Sequence, residues 1–139
     1  MQIYLNHIFL NTRGNTDILD ITQKVSECIQ SSNIMNGQVT LFCPSSTSGV
    51  TTIEYEPGVL QDLKTIFEEI VPEEYDYQHE KAWHDGNGHS HVRAALLKAS
   101  ITIPIVDGHM TLGTWQQIVY IDFDNLPRKR EIIVQLIGE

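Results

Sequence analysis

The chain has 139 residues, 41% of them hydrophobic, which suits one domain over residues 1–139 with a real core and argues against disorder. A formal net charge of −9 sets an acidic surface against phosphate backbones and anionic lipid, so neither nucleic acid nor membrane is expected as a partner. The two cysteines, Cys28 and Cys43, are too few for a disulfide scaffold and lack zinc-pair spacing; with no signal-peptide pattern and no spanning apolar stretch, the expected location is the cytoplasm.

Residues 2–10 mix β-branched and aromatic side chains and read as a strand. Asp20 and Gln23 have the spacing of a capping box, and Ile21, Val25, Cys28 and Ile29 then recur at helical spacing. Val39, Leu41 and Cys43 alternate as a strand. The small-residue segment Pro44 to Gly49 follows, open to reading as a turn or as a phosphate contact, and then a β-branched run from Val50 to Tyr55. Pro57 and Gly58 break that run. Val59, Leu63, Ile66, Phe67 and Ile70 mark an amphipathic helix stopped by Pro72. Residues 73–91 show neither period and read as a long ordered loop, with Ser90 as N-cap of a short helix carrying Val92, Ala95, Leu96 and Ala99. Ile101, Ile103 and Ile105 alternate as a strand, and Pro104 makes it an edge or a bulged strand. Asp107-Gly108 predicts a hairpin that pairs this strand with one containing Trp115, and residues 110–123 and 130–137 read as two strands. With about six strands and three helices not in regular alternation, the fold class is α+β, built on a mainly antiparallel sheet or sandwich.

Chemistry concentrates between residues 79 and 91, where four of the six histidines fall: His79, His84, His89 and His91. Histidine is both the common metal ligand and the usual acid or base near neutral pH. His91, in the first turn of a helix, is kept neutral by the helix N-terminus, which suits a ligand or a base. His79, His89 and His91 are expected to converge on a divalent metal ion, zinc or magnesium, with His84 in reserve. Asp85, Gly86, Asn87, Gly88 and Ser90 offer a carboxylate, an amide and flexible backbone before a helix, a setting that exposes amide hydrogens to an anion. Arg93 in the same first turn reads either as a phosphate clamp or as a surface ion pair. Thr114, Trp115 and Gln116 offer a stacking face and an amide, or a structural tryptophan. Glu54 is a candidate carboxylate on its strand, and Pro127-Arg128-Lys129-Arg130, the only basic run, reads as a solvated hairpin.

The run from Asp85 to Leu97, together with Gly113 to Gln117, Pro127-Arg128 and Gly138, resembles the signature of the YjbQ-like family, and Tyr77-Gln78-His79 resembles the upstream part of the same site. In that family the segment at Pro44 to Gly49 usually reads Pro-His-Thr-Thr-Ala-Gly, so Ser45 stands at the histidine, and Glu54 fits the family's later glutamate. The resemblance implies a compact α+β domain, a homotrimer and a polar pocket holding the histidines. It also implies a secondary thiamine-phosphate synthase activity, a transferase reaction that joins a hydroxymethylpyrimidine diphosphate to a thiazole phosphate and releases pyrophosphate. In that reading His91, Arg93 and Glu54 are the catalytic candidates. The alternative is a non-catalytic trimeric module that binds a metal or a phosphorylated small molecule.

Overall fold

The structure, a computed structural model, describes residues 1–139. Its strands are β1 (Gln2–Thr12), β2 (Asp17–Asp20), β3 (Gly37–Phe42), β4 (Ser48–Ile53), β5 (Ser100–Val106), β6 (His109–Met110), β7 (Gln117–Asp122) and β8 (Arg128–Gly138). The helices are α1 (Thr22–Ser32), α2 (Pro57–Ile70), α3 (Gln78–Trp83) and α4 (Gly88–Leu97). A five-stranded sheet runs β1-β8-β3-β5-β6 and a three-stranded sheet runs β2-β7-β4, with every pairing antiparallel. This is the α+β architecture expected, and no helix is long and apolar enough to cross a membrane.

The layers follow from the side-chain period of two. In β8, Ile132, Val134 and Leu136 point inward; they pack with Val39, Leu41, Ile103 and Ile105 of the same sheet and with Val25 and Ile29 of α1. Ile118 and Tyr120 of β7 reach this core from the smaller sheet, while Val119, Ile121 and Phe123 face the other way onto Phe67 of α2 and Ala94 of α4. The three-stranded sheet is thus covered on both faces, which is why β7 reads as a continuous apolar run. The outer face of the five-stranded sheet carries Ile3, Leu5, Phe9 and Phe42, all exposed.

Several boundaries differ from those the sequence predicts. Asp20 does accept from Thr22 N, but α1 starts at Thr22 with Ile21 as its N-cap residue. Pro57 opens α2, and Glu56 caps it by accepting from Gly58 N and Val59 N. The span read as loop contains α3, and α4 begins at Gly88, so the N-cap is Asn87 and Ser90 lies inside the helix. Asp107 and Gly108 both have positive φ, 50° and 78°, the geometry of a two-residue hairpin turn. The strand that returns is only His109–Met110, however. Thr111 to Gln116 leave the sheet, Trp115 lies in a turn, and β7 joins the other sheet.

Candidate functional site

The site lies where the C-terminal end of β7, the start of β8, the segment between β3 and β4, and the α3–α4 connection meet. Asp122 ends β7, buried from Ile118 onward, and Asp124 lies just beyond it; the two are 0% and 3% exposed. A buried carboxylate needs partners. Arg130 provides one, donating from Nε to Asp122 Oδ2 at 2.7 Å and from Nη2 to Asp122 Oδ1 at 2.9 Å, and it also reaches Thr47 Oγ1 at 2.7 Å. Asp124 accepts from Leu126 N, Thr47 Oγ1, Asn87 Nδ2 and Arg128 Nη2. Burial opposes its ionisation, but these hydrogen bonds outweigh burial and hold its carboxyl below the usual range. The basic run read as a solvated hairpin does keep Arg128 and Lys129 exposed, and only Arg130 turns inward onto the two carboxylates. Together with Ser45, Ser46, Thr47, Asp85, Asn87 and His91 these basic residues line a cavity of about 590 Å3 that has no hydrophobic lining residue.

Asp85 and His91 line this cavity, and His79 stands beside them. His79, Asp85 and His91 each place one ligand atom within 4.8 Å of the others, and the rings of His79 and His91 are 4.5 Å apart. His79 Nε2 lies 3.1 Å from Asp85 Oδ1. Nδ1 of His91 lies 3.1 Å from the Ser46 carbonyl, which can only accept, so Nδ1 is the donor there and Nε2 is left outside that bond. Fixing one imidazole nitrogen by a carbonyl is how proteins prepare the other as a ligand. Two imidazoles and one carboxylate match the three-residue donor set of an open zinc site. The residues present thus fit a divalent ion, with Asp85 in the place expected for His89.

His89 does not join them. It is 2% exposed and lines a separate cavity of about 170 Å3 with Asn15, Thr16, Lys64, Glu68, Glu73 and Arg93. Residues 89 and 91 lie on different sides of α4, because two residues make half a helical turn. His84, the reserve, is exposed and ends α3 in left-handed conformation, outside the cluster. Arg93 is likewise taken: its Nε donates to Val71 O, Nη1 to Thr16 Oγ1 and Nη2 to Glu68 Oε2, and its side chain is 7% exposed. It braces α4 against α2 rather than facing the cavity with the histidines.

The loop amides are occupied too. Gly86 N and Gly88 N donate to the two oxygens of Glu80, and Asn87 N donates to Asp85 Oδ1. These amide bonds hold both carboxyls below their usual range, against the small cost of desolvation. A carboxylate of the chain itself thus fills the place at this helix start that the sequence offers to an external anion. Ser90 is buried, donating to the Phe123 carbonyl at 2.6 Å, and ties α4 to β7.

Glu54, Thr114, Trp115 and Gln116 gather at the other end of the three-stranded sheet. The register pairs Ile53 with Gln117 there and Ser48 with Asp122 at the cavity end. Six strand residues separate these ends by on the order of 20 Å. Gln116 Nε2 donates to Thr52 Oγ1, and both Glu54 and Trp115 are exposed. Within one chain, none of the four reaches the histidines. The residues that sequence reasoning missed are Asp122, Asp124, Arg128 and Arg130. Their one signal was acidic residues ending an apolar strand shortly before a basic run.

Comparison with known proteins follows this geometry. A profile described as "UPF0047 protein YjbQ-like" matches residues 6–139. A UPF0047 protein of Methanothermobacter thermautotrophicus is 38% identical over 139 residues, covering 100% of this chain and 95% of that relative. The UPF0047 protein YugU of Bacillus subtilis is 31% identical over 136 residues, covering 96% and 99%. A crystal structure of a YbjQ-like protein of unknown function from Sulfolobus solfataricus superposes with a TM-score of 0.94 at 30% identity, over 99% of each chain.

Proposed function

The chain belongs to the UPF0047 family of YjbQ-like proteins, and from that premise we propose that it binds a phosphorylated small molecule beside a divalent metal ion and acts as a thiamine-phosphate synthase. The observation that carries this reading is the His79–Asp85–His91 cluster, two of whose members, Asp85 and His91, line a cavity with no hydrophobic lining residue and a basic rim. His79, Asp85 and His91 would hold the ion, zinc or magnesium. When bound, the ion supplies positive charge for a diphosphate.

The chain's own residues do the rest. Arg128, with its side chain 43% exposed, and Lys129 present charge to the phosphate oxygens. Arg130 is fixed by Asp122 and shapes the inner wall. Thr47 and Asn87 hold Asp124 and with it the position of Arg128. The reaction needs the bond between the pyrimidine's methylene carbon and the diphosphate to break, the thiazole nitrogen to attack that carbon, and pyrophosphate to leave. Positioning and charge supply most of what such a displacement requires.

One observation favours the second reading, a binding module without turnover. The polar cavity has no apolar lining, and Trp115 and Glu54 lie at the far end of the sheet. Both readings are tested together. Purified protein is loaded with zinc or magnesium, titrated with pyrophosphate and with thiamine phosphate, and incubated with the two substrates while thiamine phosphate is followed. Turnover supports the synthase. Binding without turnover supports the module. Binding of neither ligand at millimolar concentration sinks both. His91→Ala is expected to abolish turnover and to lower metal affinity by about 100-fold or more, beyond what the loss of an outer-shell partner does.

A further inference from the structure

The polar cavity does not end at His91. A groove of about 350 Å3 runs along α4, lined by Ala94, Ala95, Ala99 and Ser48, and it shares Ser45, Ser46 and His91 with the cavity. Ala94 and Ala95 lie one helical turn beyond His91 on one side of α4, and Lys98 follows at its C-cap. The alanines leave room that a longer side chain would fill. The floor is fixed rather than loose: Lys98 O accepts from Val50 N at 3.2 Å and Ala99 O accepts from Cys43 N at 2.8 Å. The absent side chain of Gly49 allows that approach, because a Cβ there would lie 2.5 Å from Lys98 O.

The two spaces differ in chemistry. One has no hydrophobic lining residue; the other offers the methyl groups of three alanines, with Lys98 also among its lining. Each volume falls within the roughly 300–1,000 Å3 of small-molecule sites. An organic phosphate has the same division, an anion on one side and a ring that gains by leaving water on the other. His91 stands at the junction.

We infer that this groove receives the uncharged heterocyclic part of a ligand whose phosphate lies in the polar cavity, and that Ala95 sets how large a ring fits. The inference rests on the proposed anion site and adds what lies beyond the phosphate. Ala95 is exposed on its helix, so Ala95→Leu is expected to fold while filling the groove. With zinc present, the wild-type protein is expected to bind thiamine phosphate about tenfold more tightly than inorganic phosphate, a difference of about 1.4 kcal/mol. Ala95→Leu is expected to erase that advantage and leave inorganic phosphate unchanged. Equal affinity for the two ligands in the wild type, or an equal loss of both in the variant, overturns the inference. A second measurement does not depend on the anion site. Uncharged pyrimidine should shift the methyl NMR signals of Ala95 and Ala99 in the wild type, and no shift overturns the groove. If inorganic phosphate fails to bind while pyrimidine still shifts these methyls, the anion reading has failed and the groove stands.

Discussion

Arg93 and Arg128 show how burial divides the work of two arginines. Arg93 donates to a carbonyl, a hydroxyl and a carboxylate from an interior position. Its loss leaves Val71 O and Thr16 without partners, so Arg93→Ala should lower stability by about 1.5–3 kcal/mol, the scale of hydrogen bonds to a charged group. Urea unfolding would measure that, and pyrophosphate affinity should not change. Arg128→Ala should shift the balance the other way, weakening pyrophosphate about tenfold with a smaller fall in the unfolding midpoint than Arg93→Ala, because Asp124 keeps Leu126 N, Thr47 and Asn87 as donors. His89 supplies a pH dependence. Burial, and then the Arg93 guanidinium, hold it below its ordinary value of 6.5, although Glu73, Glu68 and Glu80 pull the other way. The unfolded chain therefore takes up this proton first as pH falls through 6.5. The stability that neutral His89 contributes is present above that pH and declines below it. Melting temperature should fall between about pH 7.5 and 5, and His89→Asn should flatten the slope. An unchanged slope would remove His89 as its source.

At the scale of elements, the contact that matters most to the site is β4 against the end of α4. Gly49 sits under Lys98 and Leu97, and a Cβ would meet Lys98 O at 2.5 Å and Leu97 Cδ2 at 2.9 Å. Backbone cannot swing aside as a flexible side chain does. Gly49→Ala should cost about 1–3 kcal/mol, the range for overpacking, read as a shift in denaturant midpoint. A midpoint equal to the wild type would mean that the two elements are free to separate. The turn from β7 into β8 is held in a different way, by Asp122, Asp124 and Arg130. That ion network, rather than the helix start, gives the cavity its shape.

For the whole molecule, the outer face of the five-stranded sheet is the open question. Ile3, Leu5, Phe9 and Phe42 are 70%, 55%, 73% and 45% exposed on it. Apolar surface gathered on one face marks an interaction site. For the homotrimer that the family resemblance implies, light scattering should report three times the 15.8 kDa chain mass. Phe9→Asp should lower that mass if this face is the contact. A wild-type monomer at micromolar concentration would end the idea.

The sequence alone determined the class and most of the elements, but not β2, α3 or the break between β6 and β7. Periods of two and 3.6 are local, so β3, β4, α2, β5 and the Asp107-Gly108 turn could be read from a few neighbouring residues. The same holds for the window from residue 79 to 91 that carries the histidines. Only the tertiary structure decided which members of that window share a site. α3 forms inside an aperiodic stretch and swings His79 onto His91, and Asp85 rather than His89 completes the set. Glu80 takes the loop amides, and Arg93 is drawn into the interior. Arg128 and Arg130 become a cavity wall because Asp122 and Asp124 are buried at the end of β7 and require partners. Such pairings join residues far apart in the chain, and local pattern holds no record of them.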